Sequence, residues 1–256
     1  MTDLFNLAGQ VALVTGASSG MGRRMAVLLA ERGAAVAVAA RGADRLKDLV
    51  EEITGAGGKA LAVKLDVSDV AAFAPAVDAV EAALGPVSTL INNAGVAHVE
   101  RVVQANVGAV RRFDEMFDIN LRGPYFLTAE IGRRMIERKP GGQILNISSA
   151  SARKTMPGYA AYGASKAALS HFTRVLALEW AAYRINVNAI CPGYILTEMT
   201  REFTGTDAGA KVRDSLPRKR IGAPEDLDCM VLALVSPANR FTTGAVVSVD
   251  DGIAVS

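Results

Sequence analysis

Tyr162 and Lys166 stand four residues apart in the run Tyr162-Gly163-Ala164-Ser165-Lys166. On a helix that spacing puts both side chains on one face, a turn apart. A free phenol gives up its proton only near ~10, and a neighbouring ammonium favours the phenolate and lowers that value. The pair is therefore suited to act as acid and base at a carbonyl or an alcohol. Tyr159 is a rival, but four residues beyond it stands Gly163, which carries no charge. The same spacing also occurs on ordinary surface helices. Chemistry needs a seat for an electron carrier, a group that polarises the oxygen, and a fold that brings them together.

Composition narrows the fold. The chain has 256 residues, of which 50% are hydrophobic and only 5% aromatic. Its core must be built from Ala, Val, Leu and Ile, as in parallel sheets covered by helices on both faces. The net charge of +2 is close to balance. Arg218-Lys219-Arg220, Arg111-Arg112 and Arg133-Arg134 lack a wider basic field and read as solvated positions, so no nucleic-acid partner is expected. Cys191 and Cys229 have no metal-ligand spacing and suit a reducing cytosol as buried thiols. With only His98 and His171, no metal site is expected. The N-terminus has no basic and apolar leader pattern, and runs such as Ala34–Ala40 are too short to span a bilayer, so a cytoplasmic protein without a membrane partner is expected.

Strand and helix patterns alternate along the chain. Val11–Val14 is a short apolar run that stops at Thr15-Gly16-Ala17-Ser18-Ser19-Gly20-Met21-Gly22. Met25, Leu28 and Leu29 then follow helical spacing up to Gly33, a helix-ending residue, and Ala35–Ala40 is a second apolar run. Glycines in such a first turn let the backbone approach a pyrophosphate, while the next helix supplies N–H groups and a positive dipole end. A plain strand–helix turn is the bland alternative. Further on come a helix over 44–53, a strand over 59–65, a helix over 71–84, a strand over 87–91 and a mostly helical stretch over 99–138 interrupted near Gly108. A strand over 143–147, a long helix over 159–182, a strand over 185–190, a helix over 224–234 and a last strand over 244–249 complete the pattern. Residues 198–216 have weak periodicity and read as a mobile substrate flap, beginning at about 194. No linker or repeat divides the chain, so one domain covers 1–256, with a cofactor half to about 150 and a catalytic and substrate half beyond it.

Thr15-Gly16-x-x-x-Gly20-x-Gly22, Asn92-Asn93-Ala94-Gly95 and Tyr162-x-x-x-Lys166 together resemble the short-chain dehydrogenase/reductase family, over the whole chain. The resemblance implies a Rossmann-like, doubly wound, seven-stranded parallel sheet. It implies a cofactor seat made by Gly16, Ser18, Ser19, Gly20, Met21, Gly22, Arg41, Asp66, Val67, Asn93, Ala94 and Gly95. Tyr162, Lys166, Pro192, Gly193, Ile195 and Thr197 complete that seat on the nicotinamide side. Asp66 also reads as a turn residue and Asp69 as a helix cap. The family's catalytic serine lies thirteen residues before the tyrosine, at Ser149, with Ser148 and Ser151 as local competitors. Asn120, otherwise a surface helix residue, becomes an active-site Asn beside a bend. A ketone reduction needs a hydride donor, an acid and a donor that stabilises charge growing on oxygen. Nicotinamide, Tyr162 and Ser149 would fill those roles.

The implied function is an NADP(H)-dependent oxidoreductase interconverting a ketone or aldehyde and an alcohol. Ala40 at the end of the second strand cannot hold a ribose diol, whereas Arg41 can pair with a 2′-phosphate, which favours NADP(H) over NAD(H). Arg41 stacking on adenine is the alternative. Ser151, Met156, Tyr194, Met199 and Phe203 are candidates for the substrate pocket, and His98 stands near its mouth or is simply exposed. A sugar or polyol, a small ketone or a cyclic ketone fits equally well; a 3-oxoacyl group on an acidic carrier is not favoured, because of the two docking places one is basic at Arg138-Lys139 and the other falls at Tyr183, with Arg184 next to it. The resemblance also implies a homotetramer, or else a dimer, using the 159–182 helix and the last strand. A protein of another class, a cofactor sensor without catalysis, would have lost Tyr162 or Lys166, and neither is lost.

Overall fold

A computed structural model describes residues 3–139 and 141–256, apart from the side chain of Met199, whose expected place in the substrate pocket lies outside the described residues. Seven parallel strands form one sheet in the order β3-β2-β1-β4-β5-β6-β7. They are β1 (Val11–Thr15), β2 (Ala35–Ala40), β3 (Lys59–Lys64), β4 (Thr89–Asn92), β5 (Gly142–Ile147), β6 (Ile185–Pro192) and β7 (Val246–Val249). β1 pairs with β2 on one side and β4 on the other. The chain thus winds outward to β3, crosses back to β4 and winds outward again. That reversal opens a crevice at the C-terminal ends of β1 and β4.

The sheet is covered on both faces because its strands alternate their apolar side chains between two cores. Val14, Val36 and Val38 face one core with α1 (Gly20–Glu31), α2 (Ala43–Gly55) and α9 (Asp228–Val235). Leu13, Ala37 and Ala39 face the other with α3 (Phe73–Leu84), α5 (Gly123–Arg138) and α6 (Ala160–Glu179). On β2 the larger side chains, Val36 and Val38, meet α1 and α2, while the alanines Ala35, Ala37 and Ala39 face the other core. Phe73 is fully buried in that second core, where a side chain of that size contributes about 1.5–3 kcal/mol.

Two readings of the sequence need correction. The helical stretch begins at α4 (Val107–Phe117), after an irregular segment with one 3-10 turn at Val102–Gln104, and Gly108 lies in its first turn. The interruption falls later, at a π-helical turn over Asp118–Arg122, which runs directly into α5. The segment read as a mobile substrate flap is made of two short helices, α7 (Glu198–Thr204) and α8 (Asp207–Ser215). Its weak periodicity reflects α8 burying little beyond Gly209. Finally, Cys191 is buried but Cys229 is exposed.

Candidate active site

A cleft of about 540 Å³ opens where the strand order reverses. Thirteen of the expected cofactor residues line it: Gly16, Ser18, Ser19, Gly20, Met21, Gly22, Arg41, Asp66, Val67, Asn93, Ala94, Gly95 and Thr197. Tyr162, Lys166, Pro192, Gly193 and Ile195 do not. Pro192 ends β6 and is buried, Ile195 is 6% exposed, and Gly193 packs its α-carbon against Asp250 and Ile253.

The glycines of the first turn have separate reasons to be there. A Cβ on Gly22 would collide with the carbonyl oxygen of Gly16 and the Asn93 amide. Gly16 and Gly20 have φ of +65° and +54°, a region that side chains resist. Ser19 caps α1 by position, yet its side chain makes no capping bond, so the hydroxyl is left to the cleft. The Asn93 amide group donates to the carbonyls of Thr15 and Gly16, while its Oδ1 is buried without a partner. Thr15, overlooked in the sequence, accepts the backbone N–H groups of Asn93 and Ala94 on one hydroxyl. A glycine floor, a helix start with free donors and an orphaned acceptor fit the diphosphate and ribose of a dinucleotide. Asn92 ties β4 to β5 through Asn146 at 2.8 Å, as expected of a strand-bridging asparagine.

The far end of the cleft is basic. Ala40 closes β2 and Arg41 follows it at the cleft edge. Burial acts to raise the Asp66 carboxyl, but the Ser68 N–H and hydroxyl, with Arg41 nearby, leave it below the usual range. Asp69 caps the next turn, accepting the Ala71 N–H. Arg45, in the first turn of α2, also lines the cleft and was not singled out from sequence. Its guanidinium donates to Glu198 at 2.6 Å, in an adjoining cavity.

The expected catalytic residues converge beside Gly95. An added Cβ on Gly95 would stand 3.2 Å from Asn120 Oδ1 and 3.3 Å from Lys166 Nζ. Asn120 lies in the π turn, fully buried, and clamps both the N–H and the C=O of Val96 at 2.9 Å. Its amide also donates to Ser165 at 3.2 Å. Lys166 is 4% exposed and donates to the Ile147 carbonyl at 2.9 Å. Among the serines, Ser148 is spent in the core on Lys166 O and Ser170. Ser151 donates to Ser149 at 2.9 Å, leaving Ser149 as the serine beside Tyr162.

The electrostatics differ from expectation. Burial lifts the Tyr162 phenol above its ordinary range, and the Ser149 hydroxyl draws it back only in part. Burial also lowers the Lys166 ammonium to about 8. Its Nζ stands 5.9 Å from the centre of the Tyr162 ring. Desolvation therefore dominates, and the expected lowering of the phenol is reversed. Tyr159, dismissed as a rival, packs edge-on to Tyr162 at 6.0 Å between ring centres.

On the substrate side, Ser151 and Met156 line a groove of about 690 Å³ beside Tyr159. Tyr194 reaches Met156 with its hydroxyl 3.7 Å from the sulfur, and burial, with Tyr159 nearby, pushes its phenol up to about 12. Phe203 lies on α7, 39% exposed and outside that groove. His98 is held by Glu115 at 3.0 Å. Arg138 and Arg134 are tied to Glu81. Among the described residues no cluster of His, Cys, Asp and Glu could hold a metal ion, and no helix is long and apolar enough to cross a membrane.

Comparison with known proteins agrees with this arrangement. Residues 16–254 match the family model described as enoyl-(acyl carrier protein) reductase. The chain is 35% identical to the 2-dehydro-3-deoxy-D-gluconate 5-dehydrogenase of Dickeya dadantii, over 98% of this chain and 97% of that one. It is also 35% identical to the NAD-dependent glycerol dehydrogenase of Listeria innocua, over 98% and 96%. The crystal structure of a gluconate 5-dehydrogenase from Burkholderia cenocepacia, in complex with NADP and tartrate, superposes with a TM-score of 0.93 at 30% identity, covering 99% of this chain and 98% of that one. The chain belongs to the short-chain dehydrogenase/reductase family, oxidoreductases that move a hydride between a nicotinamide cofactor and an alcohol/carbonyl pair.

Proposed function

We propose that this protein is a single-domain, cytoplasmic NADP(H)-dependent dehydrogenase of a polyol or sugar acid, with Tyr162 as its acid/base. The observation that carries the reading is the convergence of Tyr162, Ser149, Lys166 and Asn120 beside a cleft whose far end holds Arg41 and no diol-binding carboxylate on Ala40. The glycines of the first turn and Asn93 would hold the diphosphate and ribose, Arg41 the 2′-phosphate, and Thr197 the nicotinamide end. When bound, the cofactor supplies or accepts the hydride.

The side chains do the rest. Ser149 donates a hydrogen bond to the substrate oxygen and stabilises the charge that develops on it. Tyr162 gives its proton to that oxygen in reduction and takes it back in oxidation. The Lys166 ammonium lies close enough to favour the phenolate when it forms, and Asn120 fixes the Val96 backbone that walls the site. Sugar-acid and polyol substrates are favoured by the relatives' names over a carrier-bound acyl group. Carrier docking would need free cations, and Arg138 is already paired with Glu81. A homotetramer is supported by apolar side chains exposed on α5 and α6, Tyr125, Phe126 and Leu178 among them.

The test is Tyr162→Phe, assayed on gluconate, glycerol and their keto counterparts. Turnover should fall by about a thousandfold, within the range of a lost general acid, while cofactor affinity measured by fluorescence stays near wild type. A variant that turns over as fast as the wild type removes Tyr162 from the chemistry.

A further inference from the structure

Arg45 and Glu198 are 153 residues apart in sequence, on the first turn of α2 and at the start of α7, and meet at 2.6 Å in a second cavity that shares Ser18, Ser19, Gly20, Arg45 and Thr197 with the cleft. Arg45 lines the same cleft as Arg41, on the side where β2 ends. Both partners are more than half exposed, at 60% and 58%. Among the described residues Glu198 is the one carboxylate at ion-pair distance from Arg45.

We propose that Arg45 is a second determinant of cofactor choice, and that Glu198 holds its guanidinium until a 2′-phosphate takes it over. The assignment rests on the reading that the cleft prefers the phosphorylated dinucleotide. The physical argument is one of exchange. An exposed carboxylate–arginine pair is screened by water and salt and is given up easily. A phosphate monoester carries nearly twice the charge of a carboxylate and offers oxygens that match the guanidinium fork. Arg45 need not be recruited from solvent, because it already lines the cleft. Glu198 also follows Thr197, which lines the cleft, so the exchange is felt at the residue expected to hold the nicotinamide end. Glu198 thereby acts as a competitor that the phosphate displaces. An unphosphorylated ribose cannot break the pair.

The experiment is calorimetric titration of the full chain with 2′,5′-ADP and with 5′-ADP, for wild type, Arg45→Ala and Glu198→Gln. These probes differ in the 2′-phosphate and need no turnover. The wild type should bind 2′,5′-ADP more tightly. Arg45→Ala should weaken 2′,5′-ADP by about tenfold, the scale of one charge-assisted contact, and 5′-ADP by no more than about twofold. Glu198→Gln should tighten 2′,5′-ADP by about twofold or more and leave 5′-ADP unchanged, because only the competitor is removed. A wild type indifferent to the 2′-phosphate brings down the cofactor reading itself. A wild-type preference that survives Arg45→Ala overturns the assignment of Arg45 alone. Tightening of both probes by Glu198→Gln, or of neither, overturns the exchange.

Discussion

Lys166 is asked to be charged in a place that resists charge. Its ammonium titrates at 10.5 in the unfolded chain and at about 8 in the folded one, because burial penalises the cation. Between those values the unfolded chain holds a proton that the folded chain has released. Stability from this group is therefore fully present above 10.5, declines as the pH falls towards 8, and is lost below it. Replacing Lys166 with Met removes this dependence. Urea unfolding from pH 7.5 to 10.5 should show wild type gaining about 3 kcal/mol relative to the variant. A constant difference across that range would refute the buried-lysine account. Residues of this kind were legible in the sequence where a motif holds them at fixed spacing: Tyr162, Lys166 and Ser149 stand near one another, and Gly16, Gly20, Gly22 and Gly95 line the cleft, whereas Gly193 does not. The roles of Arg45 and Thr15 were not legible, because their partners Glu198 and Asn93 stand far along the chain.

At the scale of elements, helix contacts depend on which side chains are missing. A Cβ on Gly132 of α5 would run into the Trp180 ring at the end of α6. Gly132→Ala should therefore cost about 1–3 kcal/mol through overpacking, despite alanine's better helix propensity. A lowered Tm with unchanged cofactor affinity is the expected result, and a raised Tm would show that the two helices do not meet there. The same scale explains which elements could be read in advance. Strands announced themselves as short apolar runs, since both faces of the sheet are buried. The π turn was foreseen only as a bend beside Asn120 implied by the resemblance, because Asp118-Ile119-Asn120-Leu121-Arg122 contains neither Gly nor Pro to mark it. Gly108 looked like a breaker but follows Asn106, whose side chain caps α4 by accepting the Gly108 N–H. In the supposed flap, Thr197 and Thr206 are the helix caps that the weak apolar pattern hid.

For the molecule as a whole, the proposed tetramer rests on apolar side chains left exposed on the surface helices. Tyr125 and Phe126 are 47% and 42% exposed on α5, and Tyr125 packs on Phe172 of α6 at 4.9 Å between ring centres. Sedimentation should return a particle of four chains, and Tyr125→Glu with Phe126→Glu should give a smaller one. A wild type that sediments as one chain would overturn the tetramer.

The order of the strands also has a temporal meaning. β1 lies between β2 and β4, with Leu13 opposite Ala37 on one side and Leu90 on the other. A growing chain can form the first of those ladders early. The second must wait until a further fifty or so residues have been added, since no ladder here is a hairpin and parallel pairing needs a crossover. Until β4 arrives, one edge of the central strand is open, and so is the floor of the nucleotide seat that Asn93 and Ala94 close. The nascent protein cannot recognise its cofactor before then, and during that interval its most apolar strand edge is the one a chaperone would have to shield.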